Sequence, residues 1–213
     1  MTITHGYTDL STFKSYLGNN VVVSASDTLA SMAVTAASRA IDAYCNRSFW
    51  LDASATPRRY TPKHLTRIDF DDDLGSTSDL VIATDASGDG TFETTWSVSD
   101  FELLPVNAPY GVKEAEPWTG MQAVGGKTLP WLVNTWLTRY DRVQITGHWG
   151  WPAVPDLVVQ ACLIKAAAIY HRRNTPQGIA AFGDFAAVRI SRQQDPDVAE
   201  MLEDYRKQPV LVA

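Results

Sequence analysis

The sequence predicts an α+β chain, in which a small helical bundle is built from both chain ends and a β-rich insertion occupies the middle. Three observations predict it. The stretch from Val143 to Arg173 reads as a short strand, a Trp-rich turn and the most apolar helix of the chain. The first 50 residues carry two helical patterns, the second rich in Ala. Between Trp50 and Asp141 the texture changes to Pro, Gly, Thr and short β-prone runs, which favour strands and turns. With 213 residues, the length fits one domain, or one with a large insertion. A single domain over 1–213 is expected, with the helical part at 1–50 and 151–213 and the β-rich part at 51–150.

In chain order, Thr8 is the expected N-cap of a helix over Asp9 to Leu17, with Leu10, Phe13 and Leu17 on one face. Gly18 and Asn19 stop it. A second helix is expected from Asp27 to Asn46, capped by Ser26, with Leu29, Ala33, Ala36, Ala37, Ala40, Ile41 and Tyr44 on its apolar face. Its many alanines combine high helix propensity with close approach to a neighbour. Candidate strands follow at Arg58–Thr61, Thr66–Phe70, Leu80–Ala83, Thr91–Trp96, Phe101–Leu104 and Gln144–Thr146. The segment Pro105 to Pro130 reads as a loop-rich excursion. In the last strand Val143, Ile145 and Gly147 alternate with Gln144 and Thr146, the period of a half-buried strand. Pro155 and Asp156 suit a helix N-terminus, while Arg172 and Arg173 suit its negative end. From Leu157 to Tyr170 only Gln160 and Lys165 are strongly polar, so burial on more than one side is expected. Asn174 to Asp184 reads as a connection and Ala186 to Ser191 as a strand. A last helix is expected over Asp197 to Lys207 before the apolar tail Pro209–Ala213.

The chain is 45% hydrophobic and 20% charged, ordinary for a soluble globular protein. No apolar run is long enough to span a bilayer. The N-terminus MTITHGYTDL lacks the basic and apolar regions of a secretory signal, so none is expected. Cys45 and Cys162 both sit in apolar helical patterns. Buried thiols in a reducing compartment are the plain reading, with a disulfide or a metal pair as the alternatives. Between Asp69 and Glu102 lie ten acidic residues and no Lys or Arg, which leaves +4 on the rest of a chain of net charge −6. Such a window is a solvated face, a cation site or a surface that repels nucleic acid. Nothing resembles a basic DNA-gripping stripe.

Motifs with chemistry are few. Gly126-Lys127-Thr128 resembles the end of a phosphate-binding loop, but the earlier Gly would fall at Met121, and Leu129-Pro130 stops the helix that should hold phosphate. Asp85, Ser87 and Asp89, followed by Gly90, resemble the first half of a calcium loop. The twelfth position is Trp96 rather than Glu, so a hairpin turn with Asx side chains bonding the backbone stands beside the metal reading. His5, His64, His148 and His171 lack metal-ligand spacing. His148, beside two Trp, reads as a packing or interface residue. No nucleophile elbow is present, which leaves only a triad scattered in sequence for an enzyme.

Four blocks carry a family resemblance: YTDLSTFKSYLG, AASRAIDAYCNRSFW, WGWPAVPDLVVQACLIKAAAIYHRR and AVRISRQQDPDVAEMLEDYRK. In their order and spacing they resemble the head-tail connector (head-to-tail adaptor) proteins of long-tailed bacteriophages. The likeness covers both chain ends and is weakest over Thr56 to Arg139. It implies a non-enzymatic structural virion protein without a cofactor. It further implies a ring of about a dozen subunits docked under the portal, which extends the DNA channel and offers a platform for the stopper or tail-completion protein. The place implied is the head-tail junction of the virion, reached from the host cytoplasm during assembly, with no membrane contact and no sequence-specific DNA binding. Subunit or portal interface candidates are Trp149, Trp151, Arg172, Arg173, Phe182, Tyr205, Val210 and Leu211. Asp71, Asp72 and Asp73 are candidates to line the channel, where negative walls would let the phosphate backbone slide. Rival readings are a calcium- or carbohydrate-binding β module on a helical scaffold, with Asp85, Ser87 and Asp89 as its candidate ligands, and a small hydrolase.

Overall fold

The computed structural model describes residues 3–18, 27–108, 116–130, 141–172, 179–180, 188–189 and 195–207. It contains four helices and a six-stranded antiparallel sheet, so helices at both ends flank a β-rich middle. Two compact units result, one from residues 1–47 with 154–213 and one from residues 48–153.

In the helical unit α1 spans Leu10–Leu17. Its N-cap is Asp9, one residue later than expected at Thr8, because the Asp9 carboxylate accepts the Thr12 amide at 2.9 Å. Only Phe13 of its face is fully buried, edge-on to Tyr170 with ring centroids 6.1 Å apart. Helix α2 spans Asp27–Cys45, and its expected cap Ser26 lies outside the described residues. Its buried face is Ala30, Ser31, Ala33, Val34, Ala37, Ser38, Ile41 and Cys45. The expected Leu29 and Ala36 are exposed. Two serines account for the difference. Ser38 is interior because its hydroxyl donates to the Val34 carbonyl at 2.9 Å and accepts the Tyr7 amide at 3.1 Å, so burial leaves no polar atom wanting.

Helix α3 spans Asp156–Arg172 and buries Val158, Ala161, Cys162, Leu163, Ala166 and Tyr170. Its Cys162 sulfur lies 3.5 Å from the Ser38 hydroxyl, a close approach that the small residues on both helices permit. Helix α4 spans Pro196–Glu203, with Pro in its first turn and Asp195 as N-cap. Val198 and Leu202 are its buried residues, and after it the Lys207 amide donates to the Cys45 carbonyl at 2.8 Å. Between α3 and α4, β7 (Ile179–Ala180), in the segment expected as a connection, pairs with β8 (Val188–Arg189), in the segment expected as a strand.

The β unit begins with β1, Thr56–Tyr60. Strand β2 runs without interruption over Arg67–Thr84, joining two expected strands through the acidic run and Gly75. Strand β3 is only Thr94–Thr95, and a 3-10 turn over Val98–Asp100 leads into β4, Phe101–Leu104. Strand β5, Trp118–Ala123, lies in the segment expected to be loop. At its Gly120 a Cβ would meet the Ile68 carbonyl oxygen at 2.7 Å, so glycine lets the neighbouring backbone approach. Strand β6 spans Val143–Trp149 with alternate residues buried. The strand order is β1-β6-β2-β5-β4, with β3 paired to β2. Strand β2 serves three ladders: Arg67–Asp69 and Leu74 pair with β5, Leu74 to Thr84 pair with β6, and Ala83 and Thr84 pair with β3. Tyr60, Ile68, Phe70, Leu74, Ile82, Met121, Val143, Ile145 and Trp149 form its core.

Candidate functional site

The Trp149-Gly150-Trp151 turn closes the β unit on itself. Strand β6 delivers Trp149 into the core, 2% exposed, where its indole N–H donates to the Thr56 carbonyl at 2.8 Å. The Arg58 guanidinium lies 5.9 Å from its ring centroid. At Gly150 φ is +112° and a Cβ would sit 1.7 Å from the Trp50 carbonyl oxygen, so only glycine turns the chain here. Trp151, 1% exposed, packs against Phe49 with ring centroids 5.2 Å apart. Its N–H donates to the Asp73 carboxylate at 3.1 Å. The two tryptophans read as interface candidates are thus interior packing in this unit.

Asp73 differs from its neighbours Asp71 and Asp72. It is buried against Trp151, and its carbonyl accepts the Gly150 amide at 2.7 Å. Asp71 and Asp72 are exposed, and Asp72 pairs with Arg58 at 3.1 Å. The acidic window contains no cation in sequence, but the fold brings cations to it. Arg67 reaches Asp69 at 2.8 Å and Lys127 reaches Asp100 at 3.5 Å.

The candidate cation loop is organised by Asp85, which is fully buried. Its carboxylate accepts the amides of Gly88 and of Gly90, the latter at 2.8 Å, and the Ser87 hydroxyl at 3.2 Å. Burial by itself raises the Asp85 pKa. The Gly88 and Gly90 amides, the Ser87 hydroxyl and the nearby Arg142 outweigh it and hold the group below the usual carboxylate range. Arg142, also buried, donates to the carbonyls of Asp85, at 3.1 Å, and Ala86. Carboxylate oxygens of Asp85, Asp89 and Glu93 come within 4.8 Å of one another. Glu93 and Arg142 were not singled out in the sequence: the first lies beyond the Asp-x-Ser-x-Asp spacing, the second some 50 residues downstream. The Asp85 carboxylate is already committed to the loop's own amides, so the hairpin-turn chemistry is fully formed by the chain itself.

His148 joins three segments. Its Nδ1 lies 2.9 Å from the Asp52 carbonyl oxygen and its Nε2 lies 3.5 Å from the Asp79 carboxylate. Asp79 stands at φ +55°, in the four-residue excursion of β2 between Ser76, opposite His148, and Val81, opposite Thr146. The Asp52 carbonyl raises the His148 pKa, burial opposes it, and Asp79 adds to the rise.

In the helical unit, Ile3, His5 to Leu10 and Ser31 line a groove of about 590 Å³. Beside it the Tyr7 hydroxyl donates to Asp42, which Arg39 approaches at 3.1 Å. Burial raises the Asp42 pKa against these two partners. Cys45 and Cys162 are free, buried thiols. Burial pushes Cys45 up to about 12, so neither its access nor its ionisation suits a nucleophile. Tyr205 is buried beside α4, whereas Arg172 is exposed at the end of α3. The remaining interface candidates, Arg173, Phe182, Val210 and Leu211, lie outside the described residues.

No family model and no curated protein matches this chain. Two solved structures share its fold. One is a chain of the neck of an empty gene transfer agent particle, computed with C6 symmetry, with a TM-score of 0.57 and 18% identity. The other is a chain of the virion of the native gene transfer agent particle, with the same score and identity. In both, the alignment covers 100% of this chain and 96% of the other.

Proposed function

We propose that the chain is a structural neck protein, a head-to-tail connector whose copies form a ring under the portal of a phage-like particle. The likeness of fold over 100% of this chain and 96% of a neck chain carries the reading. A small helical domain with an inserted sheet would otherwise suit many roles, since fold alone does not fix function. The order of sequence blocks that resembles the connector family supports it independently. A ring of about twelve subunits is compatible with the sixfold symmetry under which that neck was computed. In such a ring the interface is heterologous, one patch meeting a different patch on the next subunit.

Within this reading the exposed Asp71 and Asp72 face the channel and give it a wall that does not retain the phosphate backbone. The stopper or tail protein docks on the far side of the ring. Light scattering and negative-stain imaging of the purified protein, alone and mixed with its portal, test the reading. Rings, or a monomer that becomes a ring only on the portal, are expected; a monomer indifferent to portal overturns it. Asp71→Asn together with Asp72→Asn tests the channel assignment, and unchanged packaging and ejection of DNA would remove it.

A further inference from the structure

We infer that His148 is a proton-operated latch: with both ring nitrogens protonated it holds the Thr77–Asp79 tip of the β2 excursion against β6, and loss of the Nε2 proton releases the tip. The inference lies wholly within the β unit and does not depend on the ring reading. It begins from what each ring nitrogen faces. Nδ1 lies 2.9 Å from the Asp52 carbonyl oxygen. A carbonyl only accepts, so Nδ1 carries the hydrogen of that bond. Nε2 lies 3.5 Å from the Asp79 carboxylate, which when ionised also only accepts. A neutral imidazole has one N–H and serves one of these acceptors at a time. The imidazolium serves both.

The surroundings decide which contact fails when the ring becomes neutral. Asp52 is held a second time, by its own amide, which donates to the Trp149 carbonyl at 2.7 Å. The Asp52 segment therefore stays beside the ring and keeps the Nδ1 hydrogen. Asp79 is held more loosely: its side chain is 80% exposed, and among the described residues only His148 lies within ion-pair distance of it. A bare Nε2 then turns a lone pair toward a carboxylate. Thr77, Ser78 and Asp79 are exposed, and the β6 ladder makes no pair between Ser76 and Val81. Leu80 packs against the core, its methyl 3.5 Å from where a Cβ on Gly147 would sit. The excursion is thus pinned at Leu80 and free to lift at Asp79. The charges packed around the ring set the direction. Asp79 of β2 and Asp52, which precedes β1, both favour the imidazolium. Arg58 of β1 is engaged by Asp52 at 3.8 Å and by Asp72 at 3.1 Å. The Asp52 carbonyl, with Asp79 adding to it against burial, holds the ring above its ordinary range. The latch is therefore closed below that raised value and opens as pH rises through it.

Backbone NMR relaxation of the full chain, followed across the titration of the His148 ring, tests the latch. The amides of Thr77, Ser78 and Asp79 are expected to lose order as the ring loses its proton, with the midpoint of the ring itself. The ratio of closed to open tip is expected to fall roughly twofold to fivefold, the scale of an exposed ion pair. Two variants separate the charge from the backbone. Asp79 stands at φ +55°, which Asn and Gly both tolerate. Asp79→Asn can accept from a protonated Nε2 or donate to a bare one, so its tip should be ordered on both sides of the midpoint. Asp79→Gly has nothing to latch, so its tip should be loose on both sides. Circular dichroism confirms that each variant is folded, and the wild-type titration decides by itself where one is not. A wild-type tip equally ordered above and below the His148 midpoint, or a tip that still follows that midpoint in Asp79→Gly, would overturn the latch.

Discussion

The helical unit and the β unit dispose of their polar groups in different ways. The β unit spends them inside. Asp73 takes the Trp151 N–H, Thr84 takes the Trp96 N–H at 3.2 Å, and Asp85 with Arg142 ties down a loop. Its Arg58, Arg59 and Arg67 pair with Asp72, Asp141 and Asp69 of the same unit. The helical unit packs through Ala, Ser and Cys at close range and carries its ion pairs at or near the surface, Lys14 with Asp27, Arg39 with Asp42 and Arg206 with Glu203.

The largest effect is expected where the β unit's interior is opened. Trp151→Ala removes the largest fully buried side chain and leaves Asp73 without its indole donor. A loss of about 3–5 kcal/mol is expected in urea unfolding, and a loss below 1 kcal/mol would break the contrast between the units. Asp85→Asn comes next, with an expected loss of about 1–3 kcal/mol, since the new amide meets the Gly88 and Gly90 N–H groups. The sign of its pH dependence follows from the lowered pKa. The stabilisation is present above the unfolded carboxylate value of about 3.9 and is lost as pH falls through the folded one. The variant should flatten the acid limb of the stability curve.

His148 gives a smaller effect of opposite sense. Its raised pKa means that its contribution is complete below the unfolded value of about 6.5 and fades as pH rises through the folded one. An NMR titration of the His148 ring should show a midpoint above that of a free imidazole, and Asp79→Asn should lower it. A midpoint unmoved by that change would separate His148 from the β2 excursion. The smallest effect on stability is expected at exposed charges of α3 and α4. Arg172→Glu or Glu200→Lys should change unfolding free energy by no more than about 0.5 kcal/mol. A larger loss would mean that these charges serve the fold.

The helices were legible from sequence because their apolar spacing is strong and their ends are marked. Pro196 with Asp195 opens α4, and Gly18 closes α1. The face of α2 was turned because Ser31 and Ser38 count as polar in a pattern, while in the folded chain Ser38 has its bonds made by backbone. Strand β4 falls on the expected residues, but β5 was hidden by Gly120, whose reason lies on another strand. The run Asp71-Asp72-Asp73 hid the continuity of β2, because acids disfavour strands locally and only the neighbouring ladders hold the chain extended through them. The acidic residues of the candidate loop were visible as a turn motif. Glu93 and Arg142 were not, since no local spacing ties them to Asp85.

Strand β2 has a mechanical consequence. Its 18 residues would trace about 60 Å at full strand rise, and the excursion between Ser76 and Val81 shortens that path. It is clamped by β5 near one end and by β6 toward the other. Tension applied at Arg67 reaches Thr84 along covalent bonds, like load along a tendon, without passing through the compliant contacts between side chains. The ladder with β5 shifts register between Asp69 and Leu74, so that short span is where the sheet can absorb torsion while the tendon keeps its length.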